Sequence, residues 1–218
     1  MVSRFVLVLC ASCAIGPWTV SAQQPRTHGR LFPPQDLGLL EAPDRDQWQR
    51  PDRIMDALAI ADASVVADVG AGSGWFTIRL ARRVGPQGVV YAEDVQQEML
   101  SAISRRVERE GLVNVRPIMG RDSDPRLPSN TLDAVLLVDA YHEIEDRVTF
   151  LRNIAKSLKP QGRFGVIDFK LNGGGGPGPD ADERVSPDVV TTDAARAGLR
   201  LVASETFLPY QYFLIFAR

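Results

Sequence analysis

The stretch VADVGAGSGWFTIRLA, residues 66–81, decides the fold of this 218-residue chain. Its first residues are apolar and suit a buried strand, glycines follow at alternate positions, and a helical pattern begins at about Gly74. Glycine lets the backbone approach a ligand closely, and a helix N-terminus beside it offers unpaired N–H groups. The stretch therefore predicts a strand, a ligand-binding turn and a helix.

The rest of the chain alternates short apolar strands with helices. Strands are predicted at 65–69, 88–92, 115–119, 134–138 and 164–169, and helices at 74–83, 96–110, 145–158 and 191–197, after a short helix near Ile54. Two successive strand patterns at 199–207 and 210–217 predict a hairpin. Parallel strands joined by right-handed crossovers predict an α/β, doubly wound three-layer sandwich, in which ligands bind beyond the carboxyl ends of the strands.

The composition is that of an ordinary globular protein, with 44% hydrophobic and 24% charged residues. The formal net charge is -2 and the isoelectric point is about 5.7, so we expect no basic surface for nucleic acid or an anionic membrane. Both cysteines, Cys10 and Cys13, lie near the N-terminus. If that segment is removed, the mature chain has no disulfide, thiolate nucleophile or cysteine metal site.

The first 22 residues have the layout of a secretory signal peptide, with a basic residue, an apolar stretch at 5–18 and small residues that end at Ala22. We expect cleavage after Ala22 and export to the periplasm. The alternative is an uncleaved segment, which would leave the protein membrane-anchored or cytoplasmic. The apolar stretch is short for a membrane span and is interrupted by Gly16 and Pro17.

Residues 23–50 contain prolines too closely spaced for a long helix, and they predict an extended N-terminal arm before a catalytic domain at 51–218. Isolated apolar residues indicate that the arm packs against the domain. Arg45 and Trp48 could cover the active site; the alternative is that Trp48 only anchors the arm. Residues 172–179 predict a mobile glycine-rich loop at the active-site edge, either a substrate lid or a tolerated insertion.

Acidic residues mark the first two predicted strands. Asp68 lies in an otherwise apolar strand, and a buried carboxylate needs hydrogen-bond partners, which the N–H groups of the glycine turn could supply. Asp94 ends the second strand, where a carboxylate can accept both hydroxyls of a ribose, and its neighbour Glu93 is expected to point the other way. These acids also fit NAD, but the spacing Asp-x-Gly-x-Gly-x-Gly differs from the dinucleotide pattern.

Together these motifs resemble the class I S-adenosylmethionine-dependent methyltransferases, in particular the ubiquinone/menaquinone-biosynthesis-like group. The resemblance covers about residues 51–218 and rests on the glycine turn, on Asp94 followed by Met99 and Leu100, and on residues 132–135. It implies a mostly parallel seven-stranded sheet with an antiparallel C-terminal strand, and S-adenosylmethionine as the cofactor. The implied cofactor-binding residues are Asp68, Gly70, Ala71, Gly72, Gly74, Asp94 (ribose), Val95, Asp122 (adenine) and Asp139 (methionine end). A plain turn residue is the alternative for Asp122.

A polar cluster follows the fourth predicted strand and contains Asp139, Tyr141 and His142. Methyl transfer needs aligned reactants, and it needs a base only if the acceptor loses a proton. His142 is the candidate base, because the ordinary pKa of histidine lies near neutrality, and Tyr141 is the second candidate catalytic residue. The alternative for His142 is a structural role at the start of the next helix. Asp139 and Asp168 do not make a metal-binding pattern, so we expect no metal.

We expect methyl transfer from S-adenosylmethionine to a small-molecule acceptor, whose identity no motif encodes. The alternatives are an exported cofactor-binding or interaction protein that keeps the fold without catalysis, and an NAD-binding oxidoreductase. We expect neither a nucleic-acid partner nor membrane contact for the mature chain, and the sequence does not encode the oligomeric state. The predicted export conflicts with a cofactor that is made in the cytosol.

Overall fold

A computed structural model describes residues 31–172 and 176–218, and within them helices and strands alternate. The predicted signal segment and glycines 173–175 of the glycine-rich loop lie outside the described residues. The helices are α1 (Arg45–Gln49), α2 (Pro51–Ala57), α3 (Trp75–Val84), α4 (Gln97–Arg109), α5 (Arg147–Ser157) and α6 (Pro187–Arg196), with 3₁₀ helices at Pro34–Glu41 and Tyr141–Glu143. The strands are β1 (Val65–Val69), β2 (Val89–Asp94), β3 (Val115–Met119), β4 (Leu132–Val138), β5 (Leu158–Phe169), β6 (Arg200–Glu205) and β7 (Gln211–Ala217).

The strands form one seven-stranded sheet in the order β3-β2-β1-β4-β5-β7-β6. Strands β1 to β5 pair in parallel, and β7 pairs antiparallel with both β5 and β6. The predicted fold class, an α/β sandwich with a mostly parallel sheet and an antiparallel C-terminal strand, is confirmed. The strand order reverses between β1 and β4, and ligands bind at such a switch point.

Side-chain alternation along the strands divides the interior into two cores. On β4, Ala134, Leu136 and Val138 pack with helices α2 to α4 on one face of the sheet. Val135 and Leu137 point to the opposite face and pack with α5 and α6. Because both faces are covered, the central strands are apolar along their whole length, and an acid within one of them is conspicuous.

Strand β4 begins two residues earlier than its sequence pattern predicts, and two other elements begin at least four residues earlier. Strand β5 starts at Leu158 instead of residue 164, because the chain leaves α5 directly into the sheet, where Leu158 pairs with Leu132 before a register shift. Helix α6 starts at Pro187 instead of residue 191. The Ser186 side chain caps this helix by accepting a hydrogen bond from the Val189 N–H, and a proline is well placed in a first turn.

The N-terminal segment, which we define as residues 31–50, contains one 3₁₀ helix and the short α1 in place of a fully extended chain. Pro34 begins the 3₁₀ helix and Pro51 begins α2, positions at which the missing N–H of proline has no helical partner to lose. No helix among the described residues is long and apolar enough to cross a membrane.

Candidate cofactor pocket

A pocket lies at the carboxyl ends of β1, β2 and β4, between the glycine loop (residues 70–74) and the N-terminal segment. Most of the predicted cofactor residues line it together: Asp68, Gly70, Ala71, Gly72, Asp94, Val95, Asp122 and Asp139. Gly74, Tyr141 and His142 are not part of this lining. A Cβ on Gly74 would lie 3.1 Å from Ile103 of α4, so this glycine permits close packing between the loop and that helix.

The glycine loop is held to the end of β2 by three consecutive N–H groups. The N–H of Gly70 donates to Glu93 Oε2 at 3.3 Å, and that of Gly72 donates to Asp94 Oδ2 at 2.9 Å. Between them, the N–H of Ala71 donates to the Glu93 carbonyl oxygen at 2.9 Å. Gly70 has a φ of +63°, and a Cβ there would lie 2.7 Å from the Ala140 Cβ, so this turn requires glycine.

These hydrogen bonds determine which ligand the loop accepts. A dinucleotide cofactor places its pyrophosphate on free N–H groups at such a turn. Here the N–H groups of Gly70, Ala71 and Gly72 already have carboxylate or carbonyl acceptors from β2. A pyrophosphate would also meet the two carboxylates that accept them. The hydrogen bonding of the loop therefore disfavours NAD binding. This is a second argument against NAD, in addition to the spacing of the glycines.

Asp68 is 3% exposed and lies on the face of β1 that packs against α3. Its partner is the Thr77 hydroxyl, which donates to Asp68 Oδ2 at 2.6 Å. The sequence predicted that loop N–H groups would satisfy this carboxylate; the first turn of α3 supplies the donor instead, because those N–H groups bond to β2. Burial raises the pKa of Asp68 to about 6, and the Thr77 hydrogen bond opposes the increase.

Acidic side chains dominate the pocket charge. Carboxylates line it at Asp68, Glu93, Asp94, Asp122, Asp139, Glu143 and Glu145, against the guanidinium groups of Arg45 and Arg121. Burial raises the pKa of Asp139 to about 6 and that of Glu143 to about 7, and it also raises the pKa values of Glu93 and Asp94. A positive charge placed among these groups would favour their ionised forms, so the pocket suits a cationic ligand.

Asp139 joins the sheet to the N-terminal segment. Its backbone is left-handed, with a φ of 58°, an energetically costly conformation for a residue other than glycine. Gln49 Nε2 donates to Asp139 Oδ2 at 3.3 Å, Arg45 Nη2 lies 3.5 Å from the same oxygen, and the Gln211 amide donates to Oδ1. This carboxylate therefore holds α1 against β7 and places the Arg45 guanidinium in the pocket.

The N-terminal segment covers the pocket at the end where Val95 and Gln96 lie. The Phe32 N–H donates to Glu143 Oε1 at 3.0 Å, and the Phe32 carbonyl accepts from Gln96 Nε2 at 3.0 Å. With both backbone groups bound, the Phe32 side chain is fixed in the pocket wall. Leu40 lies over the glycine loop, 3.2 Å from where a Cβ of Gly72 would be.

Arg45 and Trp48, which the sequence analysis treated together, have different places. Arg45 is 8% exposed and lines the pocket, with its guanidinium 4.4 Å from the centre of the Trp75 ring. Trp48 packs outside it, with ring centroids 6.5 Å from Phe169 and 5.9 Å from Tyr210. Arg45 thus covers the pocket, and Trp48 anchors the N-terminal segment to the domain.

His142 forms a buried pair with Asp168 beside the pocket. His142 Nδ1 lies 3.0 Å from Asp168 Oδ2, and the His142 backbone N–H donates to the same oxygen at 3.2 Å. Burial by itself would lower the pKa of His142, but the hydrogen bond and charge of Asp168 outweigh it and the pKa is raised. With Nδ1–H donated to the carboxylate, Nε2 is the nitrogen that can accept a proton.

Tyr141 does not lie where the sequence analysis placed it. Its side chain is fully buried in the core under α5 and α6, and its hydroxyl donates to Asp193 Oδ2 at 3.0 Å. Burial and the negative charge of Asp193 raise the pKa of this hydroxyl. The short 3₁₀ helix at Tyr141–Glu143 turns the ring inward, so this geometry argues against a catalytic role for Tyr141.

Several residues at the site were not predicted to act there. Glu93 was expected to point away from the pocket, yet it lines the pocket and accepts from Gly70. Thr77, Gln49 and Gln211 were not singled out, because a hydroxyl or amide in a helix or strand has no motif of its own. The one signal in the sequence for Thr77 was the buried Asp68, because a buried carboxylate requires a hydrogen-bond donor nearby.

No group of three or more histidine, cysteine, aspartate or glutamate side chains among the described residues could hold a metal ion. Asp139 and Asp168, which end neighbouring strands, each bond to protein donors: Asp139 to Gln49 and Gln211, and Asp168 to His142. Their carboxylates thus act in holding other side chains in position.

The fold and the pocket define a Rossmann-like protein with an acid-lined pocket at the carboxyl ends of its central strands. A protein-family model described as "Methyltransferase domain" matches residues 66–162, which include the glycine loop and Asp94. A solved S-adenosylmethionine-dependent methyltransferase from Aquifex aeolicus is 28% identical, with a TM-score of 0.80 over 85% of this chain and 98% of that one. A methyltransferase domain therefore covers residues 66–162, and the likeness to the S-adenosylmethionine-dependent enzyme implies S-adenosylmethionine as the cofactor.

Curated relatives match slightly more than half of the chain. The ubiquinone/menaquinone biosynthesis C-methyltransferase UbiE of Pasteurella multocida is 30% identical over 123 residues, which are 56% of this chain and 45% of that protein. The demethylmenaquinone methyltransferase of Geobacillus stearothermophilus is 30% identical over 116 residues, 53% of this chain and 49% of that protein. The chain therefore spans about half the length of these relatives.

The fold alone does not define a reaction. The solved [4+2]-cyclase SpnF has a TM-score of 0.66 at 16% identity, over 78% of this chain and 80% of that one. The pocket residues add the chemical information, since S-adenosylmethionine carries a sulfonium and an ammonium group and suits a pocket lined by carboxylates. The residues present fit this cofactor.

We predict that Thr77→Val destabilises the protein by about 1–3 kcal/mol, because it removes the donor to a buried carboxylate. The folded-state pKa of Asp68, about 6, lies above the ordinary aspartate value of 3.8, so this group lowers stability as pH rises through the folded pKa. Without the donor the pKa rises further, and the loss of stability is larger at pH 8 than at pH 5. Urea unfolding at both pH values measures it.

Thr77→Ser is the matched control, because it keeps the hydroxyl and removes a methyl group. It should retain most of the stability at both pH values. A Thr77→Val variant whose loss of stability is the same at pH 5 and pH 8 would show that the hydroxyl does not stabilise the ionised form of Asp68.

Proposed function

We propose that this protein transfers a methyl group from S-adenosylmethionine to a small-molecule acceptor. The observation that carries the proposal is the acid-lined pocket, in which β2 already occupies the loop N–H groups that a pyrophosphate would need. When bound, S-adenosylmethionine supplies an electrophilic methyl group. The protein must hold this group, exclude water and align the acceptor.

The residues divide the proposed cofactor site into two ends. At one end, Asp94 is the candidate ligand of the ribose hydroxyls, with Asp122, Val95 and Phe32 around the adenine. Asp94 suits this role because its carboxylate is fixed by the N–H groups of Gly72 and Gln96. At the other end, Asp68 and Asp139 flank Arg45. The Arg45 guanidinium is the candidate partner of the cofactor's methionine carboxylate, and the two acids are the candidate partners of its methionine ammonium group.

We predict that Asp94→Asn weakens S-adenosylhomocysteine binding by about 10–100-fold, because it replaces a charged acceptor of hydrogen bonds. Isothermal titration calorimetry on the full chain measures the change. Glu98→Gln is the control, since this acid lies on the exposed face of the first turn of α4 and makes the same change of charge.

Two results would count against these assignments. Equal binding by Asp94→Asn and the wild type would remove Asp94 as the ribose ligand. A wild-type protein that binds NAD and not S-adenosylhomocysteine would replace methyl transfer with the oxidoreductase alternative.

We propose a planar, quinone-type ring as the acceptor. One of the two curated relatives is named for ubiquinone and menaquinone biosynthesis, and the other is named for demethylmenaquinone. The quinone class that these names share supports this acceptor.

His142 is the proposed base for an acceptor that carries a proton. As the acceptor nucleophile forms its bond to the methyl carbon, its proton passes to Nε2 of His142 and the bond from sulfur to that carbon breaks. Asp168 fixes the ring by accepting from Nδ1 and stabilises the imidazolium that results. The base works only when His142 is neutral, so activity should rise with pH through the raised His142 pKa.

We predict that Asp168→Asn lowers the His142 pKa, because the carboxylate that stabilises the imidazolium is lost. The rising limb of the pH–rate profile then moves to lower pH, and the maximal rate falls at least about tenfold as the ring loses its orientation. The chain contains two histidines, so an NMR titration of the imidazole C–H signals measures the His142 pKa directly. Methyl transfer to a short-chain demethylmenaquinol gives the rate.

The control is Asp193→Asn, which changes a carboxylate that bonds to Tyr141 instead of His142. It should leave the His142 pKa and the pH profile unchanged. If Asp168→Asn also leaves the pKa unchanged, Asp168 does not act through His142.

We propose that the chain is exported after cleavage at Ala22, on the basis of the apolar stretch and the small residues that follow it. Cell fractionation and intact-mass measurement of the native protein test this. We expect a periplasmic protein whose mass corresponds to residues 23–218. A full-length mass in the cytosolic fraction would overturn export and would place the protein where S-adenosylmethionine is made.

A further inference from the structure

We propose an anion site, next to the cofactor pocket, that takes a phosphate-type dianion in a groove between α4 and the N-terminal segment. One wall is a stripe on α4 at spacing i, i+3, i+4 and i+7, formed by Ala102, Arg105, Arg106 and Arg109. The other wall is the 3₁₀ helix, through Leu37, Gly38 and Glu41, and Ser73 of the glycine loop also lines the groove. The cavity measures about 300 Å³.

The first observation is an unbalanced charge. Arg106 bonds to Glu41, with Nη1 2.5 Å from Oε1. Arg105 and Arg109, one helical turn apart, make neither an ion pair nor a hydrogen bond among the described residues, so their like charges face each other without an acid between them. Three arginines against one glutamate leave an excess of two positive charges, which matches a dianion.

The second observation is independent of the exposed charges. The Ser73 hydroxyl and the Arg106 Nε are both buried and have no hydrogen-bond partner. Ser73 is 5% exposed, and Arg106 Nη1 lies 3.5 Å from the Ser73 carbonyl oxygen, so the two donors belong to one locality. Buried donors normally have an acceptor.

The chemistry of these donors selects the ligand. A helix C-terminus favours cations, and that effect alone accounts for basic residues in the last turn of α4. It does not account for a buried serine hydroxyl and a buried guanidinium N–H without acceptors. Arginine binds phosphate oxygens through parallel N–H groups, and a serine hydroxyl completes such a site. Ser73 borders both the groove and the cofactor pocket, whereas Arg105, Arg106 and Arg109 line the groove alone. The inference rests on the arginines and does not depend on the proposed function.

Titration calorimetry of the full chain with inorganic phosphate, and separately with glycerol 3-phosphate, tests the site at constant chloride. We expect saturable binding that is at least tenfold weaker in the double variant Arg105→Gln/Arg109→Gln and several-fold weaker in Ser73→Ala. The matched control, Arg152→Gln/Arg200→Gln, removes two exposed arginines elsewhere and should bind like the wild type.

The outcomes separate the sources of the anion. Tighter binding of glycerol 3-phosphate assigns the site to the phosphate of a small organic ester, and tighter or equal binding of inorganic phosphate assigns it to the free ion. Equal binding by the wild type and the Arg105→Gln/Arg109→Gln variant overturns the proposal, as does an equal loss in the Arg152→Gln/Arg200→Gln control. Absence of saturable binding of either probe to the wild type overturns it too.

Discussion

The bonding of the glycine loop to the end of β2 is the constraint on which the site depends. The N–H groups of Gly70 and Gly72 donate to Glu93 and Asp94, and the intervening N–H donates to the Glu93 carbonyl. This arrangement fixes the loop and orients the Asp94 carboxylate, and it places two acids where a dinucleotide would have its phosphates. The same loop therefore sets both the shape and the charge preference of the pocket.

The second constraint is the position of the N-terminal segment over the sheet edge. Asp139 has a left-handed backbone, and its carboxylate accepts hydrogen bonds from Gln49 of α1 and Gln211 of β7. Phe32 is held at the other end of the pocket by Glu143 and Gln96. The N-terminal segment, which precedes the predicted catalytic domain in sequence, thus supplies part of the pocket wall. Its attachment depends on side chains that are distant in sequence.

The sequence predicted the strands and helices well where a single period dominates. Strands β1 and β3 have the predicted bounds, and α3 and α4 differ by one residue at each end. The largest errors arose at α6, where the Ser-Pro pair that starts the helix was not recognised, and at β5, whose first half contains polar residues outside the apolar pattern. Local patterns predict elements because burial imposes a period, and they predict boundaries less well because capping and pairing involve single residues.

By itself the sequence determined the α/β sheet, the glycine loop and the presence of acids at the strand ends, because each of these follows from local backbone and burial requirements. Only the tertiary structure decided that Tyr141 turns into the core towards Asp193, that His142 pairs with Asp168, and that Thr77 satisfies Asp68. These choices depend on which elements pack together and on the dihedral angles of short turns. Side-chain partners separated by tens of residues have no periodic signal, so the geometry of the site, and with it the proposed chemistry, came from the fold.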